Sequence, residues 1–184
     1  MLDFNIRTLP VDVLHIARAA DIKVIKNSSV GVLRKNENGK AYCDGNSWII
    51  IYDDTKPIEI SRYTIAHELG HIFLGHSITQ TLYTDASEFN HKPRAEKQAD
   101  MFALRLLCPS CVLWGLDIHR AKDIEALCRI PHKKAVEREK RMKLLYERGK
   151  FLTDATEQRL YDSFCQHIAD YKNNGGTDVY EKNK

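Results

Sequence analysis

The stretch RYTIAHELGHIFLGH, Arg62 to His76, places three histidines and a glutamate within the ten residues from His67 to His76. On an α-helix, residues four apart lie on one face with Cβ atoms about 5–6 Å apart. His67 and His71 can therefore present ring nitrogens to one ion at the roughly 2.0–2.1 Å that zinc takes from imidazole. Glu68 stands one step round the helix, within reach of a water on that ion without being a ligand. This is the H-E-x-x-H arrangement, two metal ligands and a general base. The plain alternative is a helix that merely carries two histidines and a glutamate, and the apolar opposite face of the segment weighs against it.

A zinc site of the catalytic kind takes three protein ligands and keeps its fourth position for water. The longer pattern H-E-x-x-H-x-x-G-x-x-H asks for glycine at 74 and histidine at 77, where the chain has Leu74 and Ser77. On a continued helix His76 falls about 500° past His71 and points away from the metal face. That suits a capping or surface residue near a helix C-terminus. The stretch EKQAD offers a better third ligand, because Glu96 and Asp100 are four apart and share a face with Ala99 and Ala103, small residues that let two helices approach. Glu96 is then the third ligand, and Asp100 accepts a hydrogen bond from the distal ring nitrogen of a ligating histidine. Solvated acids at a helix start are the alternative for both, and Asp85, Glu88 and His91 are rival ligands.

In such a site Glu68 takes the proton of the metal-bound water and passes it to the leaving amine. A further donor usually helps to hold the oxyanion; Tyr63 and Tyr83 are within range in sequence, although a core role suits both better. The strand SWIIIY before the metal helix could be an edge to which an extended substrate adds by backbone hydrogen bonds. Its three isoleucines equally suit an ordinary buried strand.

Several elements must hold these residues. Val11 to Ala20 has helical apolar spacing and leads through Asp21 into the strand-like run IKVI. VGVLRK, KAYC and SWIIIY, separated by Asn38-Gly39 and Asp44-Gly45, predict a small antiparallel sheet. The metal helix starts near Pro57 and ends near Gly75. After a polar connection from Ser77 to Pro93, RAEKQADMFALRLLC forms a second amphipathic helix stopped by Pro109. AKDIEALC, PHKKAVEREKRMKLLYERG and DATEQRLYDSFCQHIADYK predict three further helices, the last with Asp154 and Glu157 as a capping box. The Asn/Gly/Lys-rich end predicts a flexible tail.

The chain of 184 residues, 43% hydrophobic and with a formal net charge of +3, suits one compact core with helical additions and names no partner by charge. Its five scattered cysteines argue against a secreted disulfide framework, and the N-terminal residues do not form a signal peptide or a spanning helix, so a cytoplasmic location and no membrane contact are expected. Cys108 and Cys111 have C-x-x-C spacing with no second pair, and they read as small hydrophobes at a helix junction. From Asp117 to Lys150 eleven Lys and Arg face six Asp and Glu. The helix-turn-helix-like segment there could touch phosphate, although a solvated face or a protein-docking surface suits the modest total charge better.

RYTIAHELGHIFLGH followed by EKQADMFALRLLCP resembles the ImmA/IrrE family of metallopeptidases, whose pattern couples H-E-x-x-H to a downstream E-x-x-A-[DN]-x-F-A-x-x-L-L-x-P. Glu96, Ala99, Asp100, Phe102, Ala103, Leu106, Leu107 and Pro109 fill the second half. The resemblance implies an α+β, gluzincin-like zinc peptidase fold with a small antiparallel sheet packed on the H-E-x-x-H helix and a helical C-terminal region. It also implies Zn2+ as cofactor with Glu96 as third ligand. The expected layout is a peptidase core over 1–116, a helix-turn-helix-like helical subdomain over 117–172 and a flexible tail over 173–184. The implied substrate is a helix-turn-helix repressor protein, cut to relieve repression of a mobile element or stress regulon. A non-catalytic regulator that binds DNA or a repressor through the basic helices is the alternative, disfavoured because a structural metal site has no use for Glu68.

Overall fold

The computed structural model describes residues 1–76 and 92–175. The connection carrying Tyr83, Asp85, Glu88 and His91, and the tail from 176 onward, lie outside the described residues. The chain forms two compact units, one of Val13–Leu104 and one of Met1–Asp12 with Arg105–Lys184. These bounds differ from the division at 116 and 172 expected from sequence.

The first unit is α+β. Helix α1, Val13–Ala19, buries Val13, Ile16 and Ala17 at the expected three- and four-residue spacing. Asp21, at φ 54°, turns the chain into strand β1, Ile22–Lys26. A short helix α2, Asn27–Val30, follows, then β2, Gly39–Cys43, and β3, Trp48–Tyr52. The sheet order is β1-β3-β2, with β1 parallel and β2 antiparallel to β3. Ile49, Ile50 and Ile51 are all buried, as consecutive residues on a central strand covered on both faces must be.

Four sequence expectations are corrected here. The sheet is mixed, not antiparallel throughout, because IKVI joins it beside β3. VGVLRK is not a strand: Gly31, at φ 64°, ends α2, and the Asn27 side chain accepts from the amides of Val32 and Leu33, which curls the segment into a loop. SWIIIY is the central strand, so it offers no free edge; the edges are β1 and β2. Asp44-Gly45 does form the expected hairpin, with Gly45 at φ 96° and Asp44 accepting from the amides of Asn46 and Ser47, whereas Asn38-Gly39 is no turn and Gly39 opens β2.

Two longer helices complete this part, α3, Ile58–Phe73, and α4, Lys92–Leu107, of which Arg105 onward is counted with the second unit. Pro57 caps α3, and Gly75, at φ 65°, stops it.

The second unit is helical: α5, Ser110–Gly115, α6, Ala121–Cys128, α7, His132–Glu147, α8, Ala155–Ser163, and α9, Cys165–Asn173. Helices α6 and α7 pack against each other and are joined through Arg129, at φ 49°, and Pro131. Asp154 caps α8 by accepting from Thr156 and Glu157, and Glu157 reaches back to the amide of Thr153. The last predicted helix is two, broken at Phe164, which is fully buried. Leu160, Tyr161, Phe164 and Ile168 keep helical spacing across the break, so periodicity alone could not reveal it. Cys108, Cys111 and Cys128 are buried, and burial pushes the Cys111 thiol up to about 11.

Candidate metal centre

Helix α3 exists because its apolar residues repeat at helical spacing, with Tyr63, Ile65, Ala66 and Leu69 all buried. The remaining stripe, His67 and His71, is turned towards α4. The two helices approach closely at Gly70, where a Cβ would lie 3.1 Å from both the Cα and the carbonyl oxygen of Ala99 and 3.1 Å from the Phe102 ring. Glycine on one side and a buried Ala99 on the other bring the backbones together, and this sets the reach from Glu96 to the histidines. The alanines of α4 predicted half of this contact.

At that crossing the Nε2 atoms of His67 and His71 are 3.0 Å apart. Glu96 Oε2 is 3.2 Å from His67 Nε2, and Glu96 Oε1 is 3.6 Å from His71 Nε2. Among the described residues this is the one group of three His, Cys, Asp or Glu side chains whose ligand atoms all lie within 4.8 Å of one another. A tetrahedral ion with bonds of about 2.0–2.1 Å separates its ligand atoms by about 3.3 Å; the Nε2–Nε2 distance and the His67–Oε2 distance lie near that value, and His71 is 3.6 Å from the other oxygen of Glu96. The donor set, two imidazoles and a carboxylate, is also one that catalytic zinc uses.

The electrostatics favour a cation there. Burial works against a charge on His67, but hydrogen bonding to Glu96 and the charges of Glu68, Asp100 and Glu96 outweigh it and raise its pKa. Hydrogen bonds from His67 and His71 hold the Glu96 carboxyl well below the usual carboxylate range. Glu68 is buried, at 8% exposure, and burial raises its pKa, opposed by His67, His71 and the backbone amide of Ala41 on β2. A carboxylate so raised binds a proton more readily than one in water, as a general base requires.

Each histidine is held from behind. His67 Nδ1 lies 3.2 Å from Asp100 Oδ1. The Tyr63 hydroxyl donates to Asp100, 3.2 Å from Oδ1 and 3.1 Å from the backbone oxygen, so Tyr63 stands behind this carboxylate in the buried interior. On the other flank His71 Nδ1 lies 3.0 Å from Nδ1 of His76. This corrects the expectation that His76 points away, which assumed a continuing helix. The helix instead ends in a Schellman turn, with the Gly75 amide on Ile72 O at 3.1 Å and the His76 amide on His71 O at 3.0 Å. That turn brings the residue after the glycine back against the helix three positions before its cap, here His76 against His71. Gly75 followed by a polar residue was the sequence signal.

The model of the IrrE N-terminal-like domain family, Peptidase_M78, matches residues 17–139. The chain belongs to this family, that of the ImmA/IrrE metallopeptidases. Among curated proteins none matches. No helix among the described residues is long and apolar enough to cross a membrane.

Proposed function

We propose that the chain is a zinc-dependent endopeptidase in which His67 and His71, each through Nε2, and one oxygen of Glu96 hold the metal. Zinc in such a site polarises a peptide carbonyl and acidifies a bound water. Glu68 is the catalytic base: it accepts the proton of the attacking water and delivers it to the leaving amine. Its burial excludes bulk water from the proton it carries. Asp100 fixes the ring of His67 by accepting from Nδ1–H, and Tyr63 in turn steadies Asp100.

The substrate is a protein, and we assign it to the class of helix-turn-helix repressors, cut in the cytoplasm so that repression of a mobile element or stress regulon is relieved. An extended segment of it adds to β2, the edge strand whose Ala41 amide bears on Glu68. The observation that carries the reading is the triangle of ligand atoms with a buried carboxylate beside it, since a structural metal needs no base.

The test is to incubate the zinc-loaded protein with the helix-turn-helix repressor encoded nearest its gene and to search for fragments by mass spectrometry, with Glu68→Gln in parallel. A discrete fragment made by the wild type and not by Glu68→Gln is the expected result. Equal fragmentation by both removes the role of Glu68. No fragment from a folded, zinc-loaded wild type favours the alternative, a regulator that binds DNA or the repressor through its basic helices.

A further inference from the structure

We infer that His76 and Gln98 are positioning residues that fix the tautomer and ring plane of His71, through a hydrogen-bond chain distinct from the Asp100 support of His67. The inference rests on the zinc reading above. His76 Nδ1 is 3.0 Å from His71 Nδ1, and His76 Nε2 is 3.2 Å from Gln98 Oε1 on α4. The rings of His71 and His76 meet edge to face, with centroids 5.1 Å apart and planes at 70°.

Only one assignment of protons satisfies this chain when His71 gives its Nε2 lone pair to a metal. The His71 proton must then sit on Nδ1 and be donated to His76. His76 must accept at Nδ1, so its own proton sits on Nε2 and is donated to Gln98 Oε1. The amide oxygen of Gln98 can only accept, so it ends the chain and dictates the tautomer of both rings. The backbone makes this arrangement reproducible, because the Schellman turn at Gly75 pins the His76 amide to His71 O. Position 76 thus gains a side chain aimed at position 71 by the local fold, and α4 gains a further foothold on the site beside Glu96 and Asp100.

The two ligands are supported unequally. His67 leans on a carboxylate, whereas His71 leans on an imidazole ring and an amide, so the second chain acts by orientation more than by charge. Removing a group behind a ligating histidine typically costs roughly 10- to 100-fold in metal affinity.

The experiment measures zinc affinity by competition with a chromophoric chelator for wild type, His76→Phe, His76→Asn and Gln98→Leu, together with long-range 1H–15N spectra of the zinc-loaded wild type. Phenylalanine keeps a ring and removes the acceptor; asparagine restores an acceptor oxygen at the place of Nδ1. The expected result is a weakening of roughly 10- to 100-fold for His76→Phe, a smaller loss for Gln98→Leu, and recovery of most of the affinity in His76→Asn. The spectra should show His76 with its proton on Nε2. Wild-type affinity in His76→Phe, equal loss in His76→Asn and His76→Phe, or a proton on His76 Nδ1 overturns the inference and leaves the zinc reading standing. If the wild type takes up no zinc, both fail. Should a variant not fold, the wild-type spectrum still decides.

Discussion

The two units treat their inward-turned polar groups in opposite ways. In Val13–Leu104 polar side chains, from buried Tyr63 to part-buried Gln98, form chains that end on the Nδ1 atoms of two histidines: Tyr63 to Asp100 to His67, and Gln98 to His76 to His71. In the helical unit Arg138, on α7, is only 4% exposed, and its Nε is, among the described residues, the one buried side-chain polar atom without a hydrogen-bond partner. Burial lowers its pKa, the neighbouring Cys108 and Cys128 oppose that shift, and Arg105 and Arg141 add to it. A buried charge is tolerable where each of its groups is answered and costly where it is not. The contrast marks the first unit as the one organised for chemistry.

The largest effect is expected at the site itself. Glu96→Ala should abolish one-to-one zinc binding, measured by metal analysis after dialysis, because two histidines alone make a weak site. Glu68→Gln should retain zinc and lower the rate of the proposed peptide cleavage by a factor of about 10² to 10⁴; a variant that keeps its activity would mean that the base lies elsewhere. Next comes the helix crossing. Gly70→Ala pushes a methyl against the backbone of Ala99 and the Phe102 ring, and it should cost about 1–3 kcal/mol of stability in denaturant melts while also weakening zinc binding. Stability unchanged in that variant would show that the helices can part freely.

In the helical unit the sign reverses. Arg138→Met keeps the length of the side chain and removes a buried charge whose Nε has no partner, so stability should hold or rise by about 1 kcal/mol or more. A marked loss in denaturant melts would reveal a partner for the guanidinium.

The smallest effect is a pH response confined to the first unit. Asp44 is held below its ordinary value by the amides of Ser47 and Asn46, Asp53 by Thr55, and Asp54 by the hydroxyl and amide of Ser28. A carboxylate whose pKa is depressed in the fold stabilises it above the unfolded value of 3.8, and that contribution is lost as pH falls through the folded value. Stability of this unit should therefore start to fall as pH drops through the ordinary aspartate value of 3.8, and the loss should be complete once pH passes the lower folded values. Trp48 and Trp114 lie one in each unit, so single-tryptophan variants can report the units separately. Asp54→Asn should shrink the acid response seen by Trp48 and leave that of Trp114 unchanged.

What the sequence made legible follows the range of the interactions involved. The i, i+4 spacing of His67 and His71, and of Glu96 and Asp100, is local, and both pairs could be put on helix faces before any tertiary contact was known. The α4 side of the helix crossing was readable from Ala99 and Ala103, because small residues announce close approach. The sheet was read less well, since the parallel pairing of IKVI with β3 depends on a crossover that no local pattern encodes. VGVLRK has the composition of a strand, yet Asn27 and Gly31 divert it. His76 was misread for one reason: its direction was taken from a helix continued past Gly75, whose left-handed conformation ends it.

The most direct test of the account is anomalous diffraction at the zinc edge from crystals of the zinc-loaded protein. The account predicts one strong peak at about 2.0–2.2 Å from Nε2 of His67, Nε2 of His71 and an oxygen of Glu96, with Glu68 outside the coordination sphere. A peak bound through Nδ1 of His71, or one that omits Glu96 or includes Glu68, would contradict it.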